Sequence, residues 1–176
     1  MKLPTLHQFF RRQIQRGFQT FGIAEPETAD YVGEILARFA HTRALYPTRD
    51  LDGRTLEHII DMLQERYRAQ NSGLGRRDVG RERMITRHIG EYTLFMSGLF
   101  RERVQARGQL NYYFAHGSSA YWQCADGEPN NYRQRVYRRL HYSFAQVSNV
   151  LDYVRRKQLP TNQSDSEQML AAFWRA

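Results

Sequence analysis

Apolar residues recur along this chain at steps of three and four, the spacing that aligns one face of an α-helix. The first series, within residues 4–21, is Leu6, Phe9, Phe10, Ile14, Phe18 and Phe21, with Pro4 suited to a first turn. A second helix is signalled by Pro26 and by Thr28, Tyr31, Val32, Ile35, Leu36 and Phe39, and it stops before Tyr46-Pro47. Asp50, Asp52 and Gly53 are turn residues, and a third helix follows with Leu56, Ile59, Ile60, Leu63 and Tyr67 on one face. Asn71-Ser72-Gly73-Leu74-Gly75 predicts a loop. The fourth helix, residues 79–97, shows Ile85, His88, Ile89, Tyr92, Phe95 and Met96, and Ser97-Gly98 is expected to end or kink it. Leu99 to Val104 adds a short piece that Gly108 closes. A fifth, over 109–124, places Leu110, Tyr113, Phe114, Gly117, Tyr121 and Cys124 on one side. Asp126-Gly127-Glu128-Pro129 breaks the chain before the sixth and longest, 130–156, striped by Val136, Tyr137, Leu140, Phe144, Val147, Leu151 and Val154.

No run alternates with the period of a strand. The pattern predicts an all-α, single-domain bundle of six or seven helices over residues 1–157. Residues 158–176 read as a polar connection and a short C-terminal helix that packs on the same domain or on a partner subunit. Ser164-Asp165-Ser166-Glu167 offers that helix a capping box, and Met169, Leu170, Phe173 and Trp174 give it an apolar side.

Composition narrows the function classes. With Cys124 as its one cysteine, the chain can form no internal disulfide and no thiolate zinc site. No window approaches a membrane span, and Met1-Lys2-Leu3-Pro4 leads into no apolar leader, so a cytoplasmic protein without membrane insertion is expected. The net charge of +8 comes from 24 Arg and two Lys against 18 acids. Such a balance attracts polyanions, and it also fits the lopsided codon usage of an Arg-rich genome. Residues 25–65 hold nine acids against four Arg, between basic flanks. That alternation predicts pairing between helices more than one continuous basic face.

Candidate chemistry is sparse. His88-Ile-Gly-Glu91 and His58-Ile-Ile-Asp61 each put two ligand types on one helix face, but the Glu-x-x-His of di-iron bundles is absent, and no metal or cofactor is expected. His116-Gly117-Ser118-Ser119 places neighbours in sequence that do not face each other on a helix. No nucleophile elbow and no phosphate-cradling Gly loop is present, so no catalytic residue is assigned. Arg81 and Arg83 before His88, and Arg135 before His141, have the Arg-to-His spacing of a HEPN-like metal-independent ribonuclease, at about the frequency that chance supplies in so Arg-rich a chain. Arg133, Arg135, Arg138 and Arg139, interleaved with aromatics, are the candidate polyanion-binding residues. Tyr113, Gly117 and Tyr121 stack at steps of four, and the glycine leaves a notch for a helix backbone or a flat ligand. His88, Tyr92, Tyr113, Gly117 and Tyr121 are therefore the candidate ligand pocket.

The block GEYTLFMSGLF at 90–100, followed by Tyr112-Tyr113 and Gly117-Ser118-Ser119-Ala120-Tyr121, resembles an uncharacterised family of small all-helical bacterial proteins. Its members share G-[DE]-x-x-L-F-x-[ST]-G-L-F and then Y-Y-x-x-x-G-x-x-A-Y. The resemblance covers about residues 88–122 and implies a helical bacterial protein, with no activity or site residue attached. The expectation is a non-catalytic binding or interaction protein acting as a homo-oligomer or with a protein partner. A basic nucleic-acid-associated protein is the alternative, and a HEPN-like ribonuclease the third.

Overall fold

Burial on every side of one helix organises the fold. The computed structural model describes residues 5–40, 58–71 and 76–157. Eight helices occupy them: α1 Leu6–Thr20, α2 Pro26–Phe39, α3 Ile59–Gln70, α4 Val79–Leu99, α5 Arg101–Ala106, α6 Leu110–Asp126, α7 Asn131–Tyr142 and α8 Phe144–Lys157. No strand occurs among these residues, so the protein is an all-α bundle. The predicted C-terminal helix and Leu56 lie outside the described residues. Among those described, no helix is long and apolar enough to cross a membrane.

Local chemistry sets the helix ends. Thr5 and Gln8 form a reciprocal capping box at the start of α1. Asp78 caps α4 by accepting from the Arg81 backbone N–H, and Asn130 caps α7 by accepting from that of Arg133, both at 3.0 Å. Gly108 adopts a φ of 65° after α5, a conformation open to glycine at little cost.

Helix α4 runs through the middle, with α3, α6 and α8 packed along it and α2 against it. Ile85, Ile89, Leu94 and Phe95 are fully buried, and so are Thr93 and Ser97. These hydroxyls are satisfied where they lie. Thr93 Oγ1 donates to the Ile89 carbonyl at 2.6 Å, and the Ser148 hydroxyl of α8 donates to that of Ser97 at 3.0 Å. Small residues let the helices close. A β-carbon on Gly98 would fall 2.4 Å from Leu151 Cβ, and one on Gly117 would fall 2.2 Å from Phe144 Cζ.

Three expectations need correction. The fourth helix ends at Leu99, two residues past the expected 97, and Gly98 in its last turn is a packing contact, since Leu151 of α8 occupies the space a side chain would fill. The long sixth helix is two, broken at Ser143, whose carbonyl accepts the Val147 N–H and so starts α8 anew. The third helix is rotated relative to its apolar stripe. It buries Ile59, Met62, Glu65 and Ala69, and it leaves Ile60 and Tyr67 53% and 65% exposed. An ion pair explains the rotation: the fully buried Glu65 carboxylate takes Arg81 of α4 at 2.6 Å. Leaving that charge unpaired would cost more than exposing Ile60 and Tyr67.

The contact at Gly117 predicts that Gly117→Ala destabilises the fold by about 1–3 kcal/mol through overpacking. Urea unfolding checks this. Phe144→Leu in the same chain removes the clashing ring atoms and should restore part of the loss, a coupling that a general helix-propensity effect would not produce.

Candidate functional site

The five residues of the candidate pocket do not form one cavity. His88, Tyr92 and Tyr113 make one aromatic run, with ring centroids 6.0 and 6.4 Å apart, and Phe39 lies edge-on to His88. Tyr121 belongs to a separate group with Tyr31 and Tyr137. Gly117, between them, is filled by Phe144 and Thr93, so the notch expected there is closed. Tyr92 and Tyr121 are both buried, at 4% and 0% exposure, which leaves no open wall for a ligand.

The second aromatic group surrounds a carboxylate. Glu91 lies midway along α4 and is buried. Its Oε2 meets Arg38 of α2 at 2.7 Å, and its Oε1 accepts the Tyr31 hydroxyl at 2.7 Å. Arg87, one turn back on α4, comes within 3.9 Å. Tyr121 lays its ring on Gly90, where a β-carbon would sit 3.2 Å from it, and stacks with Tyr137 of α7. Burial, then the Glu91 charge, pushes the phenols of Tyr31 and Tyr121 well above their usual range, so both stay protonated. Sequence reading missed this cluster. Glu91 had been weighed only as a partner of His88, and Tyr31 only as part of a stripe.

Arg87 and Tyr137 lead from that cluster to an open cleft of about 760 Å³. Helix α3 supplies Arg66 and Gln70; α4 supplies Glu82, Arg83, Thr86 and Arg87; α6 supplies Trp122, Gln123 and Cys124; the 127–129 turn closes one end. The four arginines of the wall differ in their partners. Arg77 is neutralised by Glu82, with contacts of 2.5 and 2.8 Å, and it holds that carboxyl below its usual range. Arg87 faces Glu91. Arg66, half-buried, donates to the neutral amide of Gln123 at 3.0 Å and makes no ion pair among the described residues, and burial lowers its pKa. Arg83 is exposed beside Gly127 and makes no ion pair among the described residues. Burial pushes the Cys124 thiol up to about 12, which makes it a poor nucleophile.

The candidate polyanion residues on α7 are divided. Arg135 pairs with Glu27 at 3.1 Å, and Arg139 pairs with Glu25, both acids at the start of α2. Arg133 and Arg138 are exposed. Acids of the 25–65 segment thus absorb basic residues from both flanks, with Asp30 taking Arg11 of α1 at 2.7 Å. The Arg–His spacings of the ribonuclease reading are not assembled either. Arg81 is tied to Glu65, Arg135 to Glu27, and His88 is buried against Phe39 while Arg83 faces the cleft. Among the described residues no three His, Cys, Asp or Glu side chains converge as a metal site.

The raised thiol and phenols set the alkaline behaviour. The folded chain keeps protons that the unfolded chain releases, from an ordinary 9.0 for Cys124 and 10.0 for Tyr31 and Tyr121. For Cys124 the stabilising contribution is complete below pH 9 and is lost as pH rises toward 12; for the two tyrosines it is complete below pH 10 and is lost only as pH rises through their raised values. Each such group adds a slope of about 1.4 kcal/mol per pH unit. Urea midpoints measured from pH 8 upward should fall steeply, and Cys124→Ala should flatten the first part of the decline and leave the rest.

Set beside known proteins, the chain matches no family model, no curated protein and no solved structure, so its function has to be argued from the site itself.

Proposed function

We propose that the chain is a non-catalytic binding protein whose cleft between α3, α4 and α6 takes an anionic ligand. One observation carries the reading: Arg66 and Arg83 present guanidinium groups to the cleft with no carboxylate partner among the described residues. Arg66, half-buried and hydrogen-bonded to a neutral amide, feels among carboxylates only the Glu82 charge that Arg77 already pairs, so it has lost hydration without a counter-charge of its own. A phosphate or carboxylate entering beside it supplies that charge and accepts two parallel N–H bonds. Trp122 at the rim and Tyr137 on the wall suit a ligand that also carries a flat apolar part.

The reading keeps the expected function class and moves its place from the Gly117 notch to this cleft. It favours binding over catalysis because the cleft pairs no base with a nucleophile: Cys124 is held protonated, and His88 is packed against Phe39 and Tyr92. The proposed membership of the uncharacterised helical family fits a structural role for its two blocks. In this chain their letters are packing contacts: three are made by α4, Gly90 against Tyr121, Ser97 with Ser148 and Gly98 against Leu151, and Gly117 of α6 meets Phe144 of α8 and Thr93 of α4.

Inorganic pyrophosphate, titrated by calorimetry, tests the cleft. Arg83→Ala should weaken binding by about tenfold or more, the worth of a hydrogen bond to a charged group. Arg12→Ala, on the exposed side of α1, should leave it unchanged. Loss of affinity equal in both variants would mean that net charge alone is being read, and the cleft assignment would fail.

A further inference from the structure

Neither the core nor the cleft explains the rings at the crossing of α6 and α7. Trp122 is 48% exposed and Tyr142 72% exposed. His141 sits between them, with centroids 5.0 Å from Trp122 and 4.7 Å from Tyr142, and the two outer rings are 6.5 Å apart. The cluster is held in place from below. The Ser118 hydroxyl lies 3.0 Å from His141 Nδ1 and within hydrogen-bonding distance of the His141 carbonyl, which ties α6 to α7 at that level. Two exposed rings thus flank a partly buried imidazole that Ser118 holds in place.

Charge flanks the rings on both sides. Trp122 also lines the cleft that contains Arg66 and Arg83. Arg138 lies four residues before Tyr142, on the same side of α7, exposed and without an ion pair among the described residues. A surface that offers flat apolar faces between guanidinium groups matches a chain of flat bases joined by phosphates.

We propose that this surface binds single-stranded nucleic acid, with bases stacked on Trp122 and Tyr142 and phosphates held by Arg83 in the cleft and Arg138 on the flank. The proposal rests on the anion-binding reading of the cleft and extends it to a ligand class. Single strands fit and duplexes do not, because the base faces of a duplex are already stacked on one another. Recognition through ring faces is tolerant of sequence. Binding should weaken steeply with salt as counterions are released.

Fluorescence anisotropy with labelled single-stranded RNA and DNA and the full chain decides it. The unmodified chain should bind both, and a duplex of equal length more weakly. Tyr142→Ala, at an exposed position, should lower single-strand affinity by about five- to a hundredfold, the worth of one stacked base. The same variant should bind pyrophosphate as the unmodified chain does, because Tyr142 is not part of the cleft. Undetectable single-strand binding, equal binding of the duplex, or a Tyr142→Ala chain that binds as tightly as its parent would each overturn the proposal. Pyrophosphate binding that Arg83→Ala leaves intact would instead remove the cleft reading, in a titration that contains no bases.

Discussion

A carboxylate enclosed at mid-helix is the constraint on which the rest of this bundle depends. Glu91 lies where α4 has neighbours on all sides, and an unpaired charge there would cost several kcal/mol. Arg38 and Tyr31, both on α2, must therefore reach it, which fixes α2 against α4 at that level. Tyr31 in turn meets the edges of the Tyr121 and Tyr137 rings, which sets where α6 and α7 lie. Four helices are thus registered by one acid. The apolar stripes alone would allow each helix to slide or roll by a fraction of a turn at small cost. A hydrogen bond of 2.7 Å would not.

The same cluster is joined to the surface. Arg87 and Tyr137 contribute to the shell around Glu91 and also to the wall of the cleft. The buried negative charge holds Arg87 in position, so that a cationic side chain stands at the cleft floor as part of the fold. Arg66 and Arg83 then differ from Arg77 and Arg87 in what faces them, and that difference separates ligand-facing arginines from structural ones. In a chain with 24 arginines, their number says little. Partner identity, which requires three dimensions, distinguishes them.

The all-α class, the order of the helices and most core positions were legible in the sequence because periodic apolar residues report burial wherever packing is driven by area. Val136, Leu140, Val147, Leu151 and Val154 are all buried as their spacing predicts. Legibility failed where a polar partner outweighed the apolar pattern. Glu65 turned α3 away from its own stripe, and Glu91 gathered Tyr31 and Tyr137, which read as stripe residues, with Tyr121, which read as part of a pocket. It failed again at glycines, since Gly98 inside a helix and Gly108 after one look alike until the neighbour that fills the gap is known. The break at Ser143 had a local signal, a residue type that favours helix starts, but an unbroken apolar stripe across it hid the break. The cleft had no sequence signature, because its walls come from three separate helices and the turn at 127–129, with Arg66 and Trp122 more than fifty residues apart.

The capped start of α7 acquires a particular significance. Asn130 begins α7 by capping it, and the level of Ser118 against His141 is counted from there. Adding or deleting one residue between the Asn130 cap and Tyr137 would turn the rest of α7 by about 100°. The helix would still form and would still offer valine and leucine to a neighbour. But Tyr137 would leave the carboxylate shell, and Tyr142 and Arg138 would swing off the outer face together. Among relatives of this chain, the number of residues from the cap to Tyr137 should therefore be far less variable than the identity of those residues.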